Sequence, residues 1–97
     1  MTRKELEQMW PWHDHEYMEF AKIEEPRSKR PDLNALMLLD RLIPDDNDII
    51  QHSSHDEISL GIDLDHLAAV ADESNVIELI RSGIRLDTDH DCLKMFV

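Results

Sequence analysis

The feature that most constrains this chain is a long segment without positive charge. No lysine or arginine lies between Arg41 and Arg81, and those 39 positions contain ten aspartates and glutamates. An ordinary soluble domain mixes both signs of charge along its surface. Carboxylates at this density repel one another and oppose compaction. A segment of this kind therefore indicates a function that uses its negative field.

Composition places the chain among globular proteins and gives it an acidic second half. Its 97 residues predict one acidic domain, 1–97, and its hydrophobic content of 41% is too high for a disordered acidic tail. Residues 42–97 carry thirteen acidic and three basic residues, or −10 of the total charge of −12. Direct binding to nucleic acid requires a basic face, so the sequence argues against it. A protein that itself binds nucleic acid is the expected partner.

Cysteine content and hydropathy bear on location. Cys92 is the only cysteine, which excludes a disulfide within the chain and suits a reducing cytoplasm. The first ten residues are charged and lack the apolar centre of a signal peptide. No apolar run approaches the roughly 20 residues that cross a bilayer. We therefore expect a cytoplasmic protein, without a membrane partner and without a cofactor.

Capping signals and apolar spacing predict the elements. Thr2 and Glu5 form a capping box that opens a first helix, Pro11 ends or bends it, and helical character resumes at about His13. The other predicted elements are a core helix over 33–43, strands at 49–52 and 58–62, two short helices ending near 71 and 82, and a hairpin of 84–86 with 92–97. The predicted fold is α+β, with N-terminal helices followed by a small antiparallel sheet that has an inserted helical pair.

The carboxylates of the acidic segment are the candidate partner-binding site. The residues are Asp45, Asp46, Asp48, Asp56, Glu57, Asp63, Asp65, Asp72 and Glu73. Carboxylates accept bidentate hydrogen bonds from arginine as phosphate oxygens do, so an ordered array of them can imitate a nucleic-acid backbone. The alternative is a solvated acidic face in which the aspartates cap helices and form turns.

Other chemistries have weaker support. His13 and His15 flank Asp14, but alternate positions on a helix point to different sides, so a metal-dependent enzyme using both is a minor alternative. The run Asp87–Asp91 has the spacing of the first calcium ligands of an EF-hand loop but lacks the glycine that the loop requires, and a hairpin turn fits it better. Cys92 reads as a buried, inert thiol. We therefore expect neither catalytic residues nor metal ligands, and no enzymatic activity.

The whole chain also resembles a known family. Its opening MTRKELEQMWPWHDHEYMEF, its acidic middle PDDNDIIQHSSHDEISLGIDLDHL and its ending GIRLDTDHDCLKMFV are similar to phage-encoded type I-F anti-CRISPR proteins of the DNA-mimic kind. The resemblance implies binding to the type I-F crRNA-guided surveillance complex, against its large subunit and adjacent backbone subunits, where target double-stranded DNA enters. The alternative is an acidic adaptor that binds a basic, nucleic-acid-binding host protein unrelated to CRISPR.

Overall fold

A computed structural model describes residues 1–96 and contains four helices and a four-stranded sheet over that range. The elements are α1 (Arg3–Trp12), α2 (Pro31–Leu42), β1 (Ile50–Ser53), β2 (Glu57–Leu60), α3 (Leu64–Val70), α4 (Glu73–Arg81), β3 (Ile84–Asp87) and β4 (Cys92–Phe96). The predicted α+β class is confirmed, and the helical pair α3–α4 lies between the two β-hairpins as expected.

The sheet is antiparallel throughout, with the strand order β1-β2-β4-β3. In the centre, Leu60 of β2 lies opposite Leu93 of β4, and both side chains are fully buried. The neighbouring pair Ser59 and Lys94 points to the other face and stays partly exposed. This alternation is the pattern of a sheet that is covered on one side only.

The core forms where the helices cover the inner face of the sheet. Leu38 of α2 and Leu79 of α4 are completely buried, as are Leu60 and Leu93 of the central strands. Of the two tryptophans, Trp10 is buried in this cluster and Trp12 is 77% exposed. Burial of each large apolar side chain contributes about 2 kcal/mol, against the conformational entropy lost on folding and the repulsion of the acidic surface.

Side-chain caps begin three of the helices. Thr2 and Glu5 form the predicted capping box of α1, Asp63 accepts two backbone N–H groups at the start of α3, and Asp72 forms a second capping box with Asn75 at α4. Caps satisfy backbone donors that would otherwise be unpaired, which matters most for helices this short. No helix within residues 1–96 has the length and apolar character needed to cross a membrane.

The segment after α1 differs from the prediction. Helical character does resume close to His13, but as two short 3₁₀ helices, Asp14–Glu16 and Phe20–Lys22, and not as one longer helix. Between them Met18 has a positive φ of 64°, and its N–H donates to the carbonyl of Ile80 at the end of α4. That tertiary hydrogen bond interrupts the helix. Local apolar spacing does not reveal a contact with a residue sixty positions away.

Candidate functional site

An acidic groove lies beside the edge of the sheet. It has a volume of about 580 Å³ and is formed by the C-terminal half of α2, the loop between α2 and β1, and the connection from β2 to α3. Its carboxylates are Asp40, Asp45, Asp48 and Asp63. Three chain segments thus bring four carboxylates to one concave surface, and we call this surface the acidic groove.

Local hydrogen bonds hold two of these carboxylates in place. Oδ1 of Asp45 accepts from the backbone N of Asn47 at 3.0 Å and from its Nδ2 at 3.1 Å, which closes a tight turn after α2. Oδ1 of Asp63 accepts from the backbone N atoms of Asp65 and His66 at 2.9 and 3.2 Å, as the cap of α3. Within residues 1–96, the second oxygen of each carboxylate accepts no hydrogen bond, so both retain the capacity to accept hydrogen bonds from a partner.

The charge of the acidic groove is not neutralised from within. Among residues 1–96, no side-chain nitrogen of a lysine, arginine or histidine lies within 4 Å of a carboxylate oxygen of Asp40, Asp45, Asp48 or Asp63. Several cations pair with other acids instead: Arg3 with Glu7 and Asp91, Arg27 with Glu78, and Arg81 with Glu16. The fold therefore uses these arginines elsewhere and leaves the groove negative.

Two further predicted residues lie at the opposite end of the β1–β2 hairpin. Asp56 is exposed in the turn between the strands, and Glu57 begins β2 on the outer face of the sheet. Oε2 of Glu57 is 3.3 Å from Nζ of Lys94, so an internal cation already binds it. Asp46 belongs to the same loop as Asp45 and is exposed, but it does not line the acidic groove.

The remaining three predicted residues lie at the starts of α3 and α4. Asp65 is 3.8 Å from Nη1 of Arg3. The Asp72 carboxylate caps α4, and the hydroxyl of Ser74 together with backbone N–H groups keeps its pKa below the usual value. Glu73 is 3.3 Å from Nε2 of His13. The structure thus brings Asp45, Asp48 and Asp63 together and places the other six predicted residues outside the groove.

Asp40 lines the acidic groove but was not predicted from the sequence. It precedes Arg41, so it lies outside the segment that lacks positive charge. It is nevertheless four residues after Leu36 on α2, and both side chains line the groove. Positions i and i+4 share one face of a helix, and that spacing could have identified Asp40.

The other candidate chemistries find little geometric support. The rings of His13 and His15 have centroids 6.3 Å apart, and no three His, Cys, Asp or Glu side chains within residues 1–96 converge as a metal site would require. Cys92 is buried, and desolvation raises the pKa of its thiol, which disfavours the nucleophilic thiolate.

An ion-pair network crosses the outer face of the sheet. Nζ of Lys94 lies 2.7 Å from Oδ2 of Asp87 and 3.3 Å from Oε2 of Glu57, while Nδ1 of His90 is 2.7 Å from the same Asp87 oxygen. The hydrogen bond from Lys94, with a second from His90, holds the pKa of Asp87 well below its ordinary value of 3.8. The network ties β3 to β4 and β2 on the side of the sheet that no helix covers.

This network predicts an acid-sensitive contribution to stability. Because the pKa of Asp87 is lower in the folded state, its stabilising effect is complete above about pH 4 and is lost as the pH falls through the folded pKa. The melting temperature should therefore fall less steeply between about pH 4 and pH 2 in Asp87→Asn than in the wild type. Asp89→Asn, an exposed neighbour in the same turn, is the control, and equal slopes in all three proteins would contradict this interpretation.

We compared the chain with known protein families, sequences and structures. No protein-family model, curated protein sequence or solved structure matches the chain. The interpretation of the acidic groove therefore rests on its own residues and charges.

Proposed function

We propose that this protein is a non-enzymatic anti-CRISPR inhibitor that mimics double-stranded DNA. It occupies the basic groove of the type I-F crRNA-guided surveillance complex in the bacterial cytoplasm and blocks recognition of target DNA. The observation that carries the proposal is the acidic groove, in which four carboxylates converge and no lysine or arginine of residues 1–96 lies within 4 Å of them. Such a surface is complementary to lysines and arginines that otherwise receive phosphates.

The proposed mechanism is electrostatic competition. A net charge of −12 steers the protein toward a positive cleft and accelerates association. In the cleft, the free carboxylate oxygens accept charge-assisted hydrogen bonds, which are roughly twice as strong as neutral ones. The protein and the DNA duplex require the same lysines and arginines of the cleft, so they cannot bind together. Bound protein therefore prevents entry of duplex DNA.

The similarity of the whole chain to DNA-mimic anti-CRISPR proteins supports the choice of partner. Charge alone is compatible with any basic nucleic-acid-binding protein, including a host protein unrelated to CRISPR. The large subunit and adjacent backbone subunits of the surveillance complex follow from the similarity, and the acidic groove supplies a surface of the required sign.

A mobility-shift assay tests the proposal. Purified type I-F surveillance complex is mixed with labelled target duplex after incubation with the protein, and we expect the shifted band to disappear at near-stoichiometric inhibitor. Heat-denatured protein of identical charge is the control. An undiminished band would contradict the proposal, and recovery of a basic host protein from lysate in that case would favour the adaptor alternative.

A further inference from the structure

A second groove, largely apolar, lies next to the acidic one. It has a volume of about 500 Å³, and its apolar side chains include Tyr17, Met18, Leu36, Ile50, Ile58 and Phe96. Met18, Ile50 and Phe96 are 55%, 48% and 50% exposed, so three of the large hydrophobic side chains that face water belong to this surface. We call it the apolar groove. Apolar side chains gathered in an open concavity are typical of sites that bind another molecule.

The two grooves adjoin, and we call the pair of them the channel. Leu36 of α2 and Ile50 of β1 line both of them, so the channel runs between this helix and the edge strand of the sheet. Asp32, Leu36 and Asp40 follow one another at four-residue spacing along α2 and place a carboxylate on each side of the apolar position. At a rise of about 1.5 Å per residue, this row is about 12 Å long, or roughly four residues of extended chain.

The backbone holds the rim of the apolar groove in a fixed arrangement. Met18 has a positive φ of 64° that is uncommon for methionine, and its hydrogen bond to the carbonyl of Ile80 maintains it. Gly83, with a φ of 92°, leaves the space that Met18 occupies, since a Cβ there would be 2.8 Å from the methionine sulfur. A strained residue that exposes an apolar side chain is typical of a functional surface.

We propose that the channel binds a basic protein segment that carries a bulky apolar side chain, with the apolar side chain in the apolar groove and the arginines or lysines on the carboxylates at its two ends. The inference rests on the proposed function in that this segment would belong to the inhibited partner. Charge complementarity selects this occupant. A DNA duplex or an anionic lipid surface would bring like charge against Asp32, Asp40, Asp45 and Asp48.

Two synthetic peptides of equal charge test the inference without the surveillance complex. One has two leucines flanked on each side by two arginines, and the other has two serines in place of the leucines. Fluorescence anisotropy with the full chain should show about tenfold tighter binding of the leucine peptide, which is the gain expected from partial burial of an apolar side chain. Raised salt should weaken both peptides by a similar factor. Equal affinities, or no binding of either peptide, would overturn the inference.

Matched variants locate the contact. Ile50→Ser and Phe96→Ser should abolish the tenfold difference, whereas Val70→Ser, which removes a similarly exposed side chain outside the channel, should leave it unchanged. Thermal melting confirms that each variant is folded, and the two groove variants give independent readings. If both groove variants still bound the leucine peptide about tenfold more tightly than the serine peptide, the inference would be overturned. Loss of DNA competition with intact peptide discrimination would contradict the proposed function alone, and the reverse result would contradict this inference alone.

Discussion

Replacing Asp45, Asp46 and Asp48 together with lysine is expected to abolish inhibition of DNA binding. Asp45 and Asp48 line the acidic groove, Asp46 lies between them on the same exposed loop, and no cation within residues 1–96 lies within 4 Å of their carboxylates. The triple variant places like charges against the lysines and arginines of the partner cleft, and such contacts cost several kcal/mol. We expect the affinity for the surveillance complex to fall by at least about 100-fold, measured by calorimetry.

A control of equal charge separates the groove from the total charge. Glu19, Glu24 and Glu25 are exposed in the segment between α1 and α2, and their replacement by lysine changes the net charge by the same amount. This control should lose only the part of the affinity that depends on long-range attraction. Both triple variants should retain the fold, because all six residues are exposed and only Asp45 loses structural hydrogen bonds, those that close the turn at Asn47, at a cost of about 1 kcal/mol. Equal losses of affinity in the two variants would contradict the assignment of the groove.

The largest expected effect on stability comes from Asn34→Ala. Asn34 is completely buried in α2, where its Oδ1 accepts from the backbone N of Arg27 at 2.8 Å. Its Nδ2 donates to Oε2 of Glu78 and to Oγ of Ser82, both at 3.1 Å. Truncation removes the hydrogen bonds of the Arg27 backbone N–H and of the buried Ser82 hydroxyl to this side chain, whereas Oε2 of Glu78 keeps its hydrogen bond from Nη1 of Arg27. We expect the free energy of unfolding to fall by about 3 kcal/mol, measured by urea denaturation.

Asn47→Ala is the matched control for this variant. Asn47 is exposed in the loop after α2, and within residues 1–96 its side chain forms a hydrogen bond only with Asp45. Its truncation should cost about 0.5 kcal/mol or less. An equal loss of unfolding free energy in Asn34→Ala and Asn47→Ala would contradict this prediction. It would show that the buried hydrogen bonds of Asn34 do not hold the segment before α2 against α2 and α4.

Most of the fold could be predicted from local sequence patterns, because capping residues, prolines and apolar spacing determine where most of its elements begin and end. Pro31 followed by a broad apolar stripe gives α2, and Thr2 with Glu5 begins α1. The segment around Met18 could not be predicted in this way, because its conformation depends on a hydrogen bond to Ile80. In the sequence, Asn34 is one polar residue on a helix, and nothing nearby indicates that it is buried. It is buried because its side chain packs against residues that lie far away in the chain.

Only part of the candidate site could be predicted from the sequence, because a count of charges does not show how the chain packs. Charge counts located the acidic segment, and three of its aspartates do meet at one groove. Which carboxylates converge depends on the packing of α2 against the loop that follows it, so Asp40 was missed. Internal ion pairs, such as that of Glu57 with Lys94, bind acids that in sequence look equally available. The apolar groove is lined by residues from six elements or loops, so no local sequence pattern predicts it.

The most direct test of DNA mimicry is a titration of target duplex against the surveillance complex at several fixed concentrations of the protein. Mimicry predicts that the apparent dissociation constant for duplex rises in proportion to the protein concentration without reaching a limit, because each cation of the cleft binds one ligand or the other. A rise that levels off, with duplex and protein bound to the same complex, would contradict the account.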